Sequence, residues 1–138
     1  MNLKSVIRTV PNFPKEGIDY IDVTSILEDP RAFQYSVDRL VQYCADKVVT
    51  DIVAPDARGF LWAAPVALEL GVPLHIARKP NKLPGQTIRQ YYTYEYDTAS
   101  IELRAKTPVN ENSNVVIIDD VSATGGTAMA LTEILRSL

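Results

Sequence analysis

Residues 115–128, VVIIDDVSATGGTA, restrict the fold more than any other part of the chain. The run from Val115 to Ile118 is continuous and β-branched, as expected of a strand covered on both faces. Two acids, Asp119 and Asp120, follow at its end. A short loop through Ser122, Ala123, Thr124, Gly125, Gly126 and Thr127 then leads into a helical pattern at Leu131, Ile134, Leu135 and Leu138. The glycines let backbone N–H groups crowd round an anion, and a helix N-terminus adds partial positive charge. Ser122, Thr124 and Thr127 have hydroxyls to offer phosphate oxygens. Asp119 and Asp120 are placed to accept bonds from vicinal hydroxyls of a sugar. The spacing lacks the GxxxxGK[ST] of a nucleoside triphosphatase loop and the G-x-G-x-x-G of a dinucleotide site.

The rest of the chain alternates strand and helix patterns. Residues 9–29 read as an ordered, irregular entry segment. Asp29 and Pro30 then predict a helix start, as N-cap and first helical residue. Phe33, Val37, Leu40, Val41 and Cys44 mark its buried face. Residues 48–54 read as a strand ended by Pro55 and Asp56. Gly59 opens a second helix carrying Leu61, Pro65, Val66, Leu68 and Leu70, and Gly71 stops it. Residues 72–78 form the next strand and residues 79–88 a basic loop. Residues 91–96 and 100–105 alternate well enough for a two-stranded antiparallel flap. The expected fold is α/β: a parallel β-sheet flanked by helices, with active-site loops at the carboxyl ends of its strands. A single domain over residues 1–138 suits this length.

The formal net charge of −3 argues against a general nucleic-acid or membrane-surface role. Arg78, Lys79 and Lys82 nevertheless cluster beside Pro80 and Pro84, which suits a small anionic ligand. Cys44 is the only cysteine, so no intrachain disulfide is possible and a cytoplasmic setting is favoured; it reads as a packing residue. No apolar stretch approaches the roughly 20 residues that span a bilayer, and no secretory leader is visible. His75 reads as structural. Tyr91, Tyr92, Tyr94 and Tyr96 read as strand packing rather than a stacking platform for nucleic acid.

Residues 115–128 resemble the signature with which type I phosphoribosyltransferases hold 5-phosphoribosyl-1-pyrophosphate. Further stretches resemble the adenine phosphoribosyltransferase branch: residues 13–24 (FPKEGIDYIDVT), 56–61 (DARGFL), 78–85 (RKPNKLPG) and 94–96 (YEY). These motifs stand in the expected order and span most of the chain. The resemblance implies a type I phosphoribosyltransferase fold and transfer of a phosphoribosyl group to a purine, most simply adenine, with release of pyrophosphate. Mg²⁺ would arrive on the pyrophosphate, with no metal-ligating residues of the protein's own. Asp119 and Asp120 would contact the ribose hydroxyls, and Ser122 and Ala123 to Thr127 the 5′-phosphate. Arg58 and Gly59 would serve pyrophosphate, and Arg78, Lys79 and Lys82 would act across a homodimer. Glu95 would serve the purine nitrogen as catalytic acid, with Arg58 the second catalytic residue. Ile18, Asp19 and Tyr20 would flank the base.

Several positions depart from the branch. Glu16 replaces a proline, Ile21 a basic residue and Asp97 a glycine. Asp19 and the pair Val121-Ser122 replace apolar residues near the base, which leaves the choice of purine open. The chain ends inside the pattern of its last helix, where relatives continue, so a C-terminally truncated domain is expected. The alternative is a phosphoribosyl pyrophosphate-binding regulatory module without catalysis, or an inactive fragment of such an enzyme.

Overall fold

The computed structural model describes residues 1–94 and 97–138. Their contacts divide the chain into two compact units, Met1–Gln42 and Tyr43–Leu138.

In the first unit, β1 (Arg8–Val10) pairs antiparallel with β2 (Tyr20–Asp22), from Arg8 opposite Asp22 to Val10 opposite Tyr20. The segment expected to be irregular therefore holds a short hairpin. Three-residue strands are too short for alternation to register. Asp22 caps the 3-10 turn Val23–Glu28, accepting from the Thr24 N–H at 3.0 Å. The guanidinium of Arg8 bridges Asp22 at 2.7 Å and Glu28 at 3.0 Å, tying the hairpin to that turn. Helix α1 (Pro30–Cys44) starts where the sequence places it. Asp29 Oδ1 accepts from the N–H groups of Arg31 (2.9 Å) and Ala32 (3.3 Å), satisfying donors that a helix start leaves open.

The second unit is built on a three-stranded parallel sheet of β3 (Asp51–Pro55), β4 (Leu74–Ala77) and β7 (Val115–Ile117), ordered β4-β3-β7. Strand β3 (Asp51–Pro55) is buried throughout. It begins later than the expected residue 48, because Val48 has φ 47° and cannot extend a strand. Asn114 holds that bend: its side-chain amide donates to the carbonyls of Lys47 and Val48, and its backbone pairs with Thr50. Helix α2 (Gly59–Leu70) packs on β3 and on β4 (Leu74–Ala77). Gly71, at φ 67°, ends it in the left-handed region that favours glycine. Its buried residues are Gly59, Trp62, Ala63, Val66 and Ala67, whereas Leu61 and Leu68 are exposed. A helix apolar nearly all round leaves periodicity little to choose between, so packing on the sheet decides which face is buried.

β5 (Thr87–Tyr94) and β6 (Asp97–Arg104) form the antiparallel flap, with a ladder from Thr87 opposite Arg104 to Tyr94 opposite Asp97. It starts earlier than expected, taking Thr87 and Ile88 out of the basic loop. Strand β7 (Val115–Ile117) lies at an edge of the sheet and is half-buried. Helix α3 (Gly126–Arg136) packs on both flap strands. Val53, Ala77, Ile101, Leu103, Ala130, Leu131 and Ile134 form one buried cluster joining sheet, flap and helix. Ile52 and Ala54 point the other way by strand geometry and are fully buried too, so β3 is covered on both faces.

Candidate active site

Strands β3, β4 and β7 run parallel, so the loops after all three leave the same carboxyl edge of the sheet. This places together residues 56–59, the start of the basic loop at Arg78 and the phosphate-loop residues 119–125. Arg58 Nε lies 2.7 Å from Asp120 Oδ2 as an ion pair. Gly59 sits directly behind Asp119: a Cβ there would lie 3.0 Å from Asp119 Oδ1 and 3.1 Å from the Ile118 carbonyl. Glycine is needed at position 59 for closeness rather than for a turn.

The two carboxylates are not equivalent. Asp119 Oδ1 accepts the backbone N–H of Asp120 at 2.8 Å. Crowding away from water, then the neighbouring Asp120 carboxylate, push the Asp119 carboxyl up to about 6, against the opposing pull of Arg58. Asp119 as a whole residue is exposed, but its carboxyl is wedged between the α2 N-terminus and Asp120. The Asp120 side chain is 6% exposed. Its Oδ2 is buried and accepts no hydrogen bond among the described residues, so the contact with Arg58 is one of charge without hydrogen-bond alignment. A buried acceptor left in that condition is costly unless a ligand donates to it.

Beside the acids, residues 121–128 curl round a cleft of about 290 Å³, closed on its far side by Tyr92 and Tyr94. Gly125 has φ 81°, and the Gly126 N–H donates to Thr124 Oγ1 at 3.3 Å, which turns the loop into α3. Ser122, Ala123, Thr124, Gly125, Gly126 and Thr127 all line the cleft, as the sequence places them. Tyr92 and Tyr94, expected as strand packing, also wall the cleft. The signal was their alternation on one side of β5, but nothing in the sequence shows which element that side faces. A Cβ at Gly126 would lie 2.8 Å from Tyr92 Cδ2, so flap and loop touch at this point.

Arg78 Nε bonds Asp56 Oδ2 at 3.1 Å, and the Lys79 N–H reaches the same oxygen at 3.3 Å. Lys79 and Lys82 are exposed and form no ion pair among the described residues. Glu95 lies outside the described residues. Ile18, Asp19 and Tyr20 belong to the first unit: Ile18 and Asp19 are exposed, and Tyr20 packs edge-on against Phe13 at 5.1 Å. His75 is structural as expected, with Nε2 2.7 Å from Asp51 Oδ1. Burial works against the Asp51 charge, but bonds from His75 and Thr50 outweigh it and hold that carboxyl low. Among the described residues, no group of three or more His, Cys, Asp or Glu could hold a metal ion. No helix among them is long and apolar enough to cross a membrane.

Residues 23–138 match the phosphoribosyl transferase domain family. The adenine phosphoribosyltransferase of Haemophilus influenzae (strain PittEE) is 44% identical over 136 residues, covering 99% of this chain and 75% of that protein. A crystal structure of adenine phosphoribosyltransferase from Thermoanaerobacter pseudethanolicus superposes with a TM-score of 0.92 at 44% identity, over 99% of this chain and 78% of that one. The Saccharomyces cerevisiae enzyme, solved with adenine and an imino-altritol bisphosphate, superposes at 0.87 with 37% identity, over 99% and 79%.

Proposed function

The chain belongs to the phosphoribosyl transferase family, and on that premise we propose that it transfers the phosphoribosyl group of 5-phosphoribosyl-1-pyrophosphate to adenine, forming adenosine 5′-monophosphate and pyrophosphate in purine salvage. One observation carries the reading. Asp119 lines a glycine-rich cleft of about 290 Å³, and the adjoining Asp120 holds a buried Oδ2 with no hydrogen bond among the described residues, a pairing of acids and phosphate loop that suits a ribose diol and its 5′-phosphate together.

Each residue's role is part of this proposal. Residues 123–127 hold the 5′-phosphate through backbone N–H groups, hydroxyls and the N-terminus of α3. The 2′- and 3′-hydroxyls donate to Asp119 and Asp120. Positive charge develops on the ribose as pyrophosphate departs, and two carboxylates at the diol keep it anchored and electrostatically favoured. Arg58 stands ready for the leaving group, and Gly59 lets it approach. Arg78, Lys79 and Lys82 add cations to the same task. Glu95 serves the purine nitrogen, and Ile18, Asp19 and Tyr20 flank the base. The flap excludes water that would otherwise consume the activated sugar.

Mg²⁺ enters as the counter-ion of pyrophosphate, since the substrate's own oxygens form a suitable hard-donor set. Both units serve one phosphoribosyltransferase-like domain over residues 1–138, supported by a family match that runs across their boundary at Gln42. The cytoplasmic setting is supported by the lone cysteine, Cys44, and a homodimer by the exposed α2 residues Leu61 and Leu68.

The test is purified chain with Mg²⁺, 5-phosphoribosyl-1-pyrophosphate and each purine in turn, with nucleotide read by chromatography. Adenosine monophosphate from adenine alone is expected. Product from another purine would redirect attention to Asp19 and Ser122, and binding without product would favour a regulatory module. Glu95→Gln should lower kcat about a hundredfold while leaving adenine affinity nearly unchanged; equal losses in both would remove its role.

A further inference from the structure

Glu102 takes no part in the site described above, yet it is 2% exposed on β6. Its backbone makes two bonds with Arg78, at 2.9 and 2.8 Å, which join the flap to the root of the basic loop. Its Oε1 accepts three donors: the Asn81 N–H at 3.2 Å, Arg89 Nε at 3.0 Å and Arg89 Nη2 at 2.6 Å. Arg89 Nη2 also reaches Asn81 Oδ1 at 3.3 Å, so Asn81 is gripped by both backbone and side chain. Asn81 sits at φ 65°, at the turn of the loop between Lys79 and Lys82. The Thr87 hydroxyl, then Arg89, hold the Glu102 carboxyl below its usual range, so it stays ionised.

The charge arrangement has a consequence for the loop's cations. A buried carboxylate must be paired, and one this close to Arg78, Lys79 and Lys82 could recruit any of them. Arg89 occupies it instead, and Asp56 takes Arg78. The two lysines keep their charge available at the surface while the backbone between them is fixed.

We propose that Glu102 is a positioning residue: through Asn81 and Arg89 it fixes the basic loop so that Lys79 and Lys82 are presented to the pyrophosphate group of the substrate without Glu102 touching it. This rests on the reading that the loop serves pyrophosphate. A loop punctuated by Pro80, Pro84 and Gly85 and open to solvent would otherwise order only on binding, at an entropic cost to affinity.

The test is Glu102→Gln, which keeps size and one acceptor but loses the charge that holds Arg89. KM for 5-phosphoribosyl-1-pyrophosphate and the inhibition constant of free pyrophosphate should each rise about tenfold, as for a misplaced binding group. KM for adenine and the inhibition constant of ribose 5-phosphate should stay within about twofold. A uniform change in all four constants, or none, would overturn the proposal. Lys79→Ala with Lys82→Ala isolates the premise: unchanged pyrophosphate inhibition there rejects the role of the loop itself. Should Glu102→Gln not fold, amide exchange on the unaltered, ligand-free protein decides. A protected Asn81 N–H is expected, and exchange as fast as at exposed Lys82 rejects the clamp.

Discussion

Asp119 and Asp120 show how two adjacent acids acquire different work. Both follow the same strand, but Asp120 turns inward onto Arg58 and Asp119 is wedged beside Gly59. Asp119 titrates near 6 because crowding and its neighbour's charge both penalise ionisation. The fold therefore holds this proton more tightly than the unfolded chain does. Its contribution to stability is present below the ordinary carboxylate range and is lost as pH rises through about 6. Ligand affinity should move the opposite way, since a protonated Asp119 is a poorer acceptor for a ribose hydroxyl. Calorimetric affinity for 5-phosphoribosyl-1-pyrophosphate should fall between pH 7.5 and 5.5, and a flat profile would detach Asp119 from the diol. Asp120→Asn should weaken the same binding by about tenfold or more, because it removes a charge-assisted acceptor and its ion pair with Arg58. Unchanged affinity would mean that the orphaned oxygen has another purpose.

Between elements, close approach replaces specific bonding. The α2 N-terminus meets the end of β7 at Gly59, and the flap meets the phosphate loop at Gly126. Gly59→Ala would push against a backbone carbonyl and the Asp119 carboxyl, neither of which yields easily. A loss of about 1–3 kcal/mol in urea unfolding is expected, with weaker phosphoribosyl binding. Gly126→Ala would meet the ring of Tyr92 at 2.8 Å, which only a shift of the flap relieves. Tyr92→Ala should therefore restore much of the affinity that Gly126→Ala loses, and strict additivity in a double-mutant cycle would deny the contact.

At the scale of the whole molecule, the second unit depends on one cluster that joins sheet, flap and α3. Leu131 and Ile134 are essentially inaccessible there. Leu131→Ala should cost about 2–5 kcal/mol, read as a lower urea midpoint at unchanged slope. Because the same helix opens at the phosphate loop, its loss should impair ligand binding as well as stability. Sedimentation tests the proposed homodimer: Leu68→Lys should shift a dimer towards monomer, and a monomeric unaltered chain would remove the idea that the basic loops act across subunits.

What the linear order of residues determined is what depends on neighbours in the chain. The loop and helix of residues 119–136, the Asp29 cap and the Gly71 stop each rest on interactions a few residues apart and were legible, as was the β-branched run of Val115–Ile117, although its ladder to β3 is long-range. The chemistry of the phosphate loop was legible for the same reason, since its donors and its acids are contiguous. Tertiary structure decided whatever depends on residues far apart. Val48 leaves the strand because Asn114 holds its backbone, and α2 buries Trp62 instead of Leu61 because of where β3 and β4 lie. Tyr92 and Tyr94 became walls of the cleft through the packing of the flap on α3. The inequality of Asp119 and Asp120, and the grip of Glu102 on the basic loop, arise where segments 13 to 62 residues apart meet. Local propensity carries no information about such meetings; burial and charge pairing decide them only once the chain has folded.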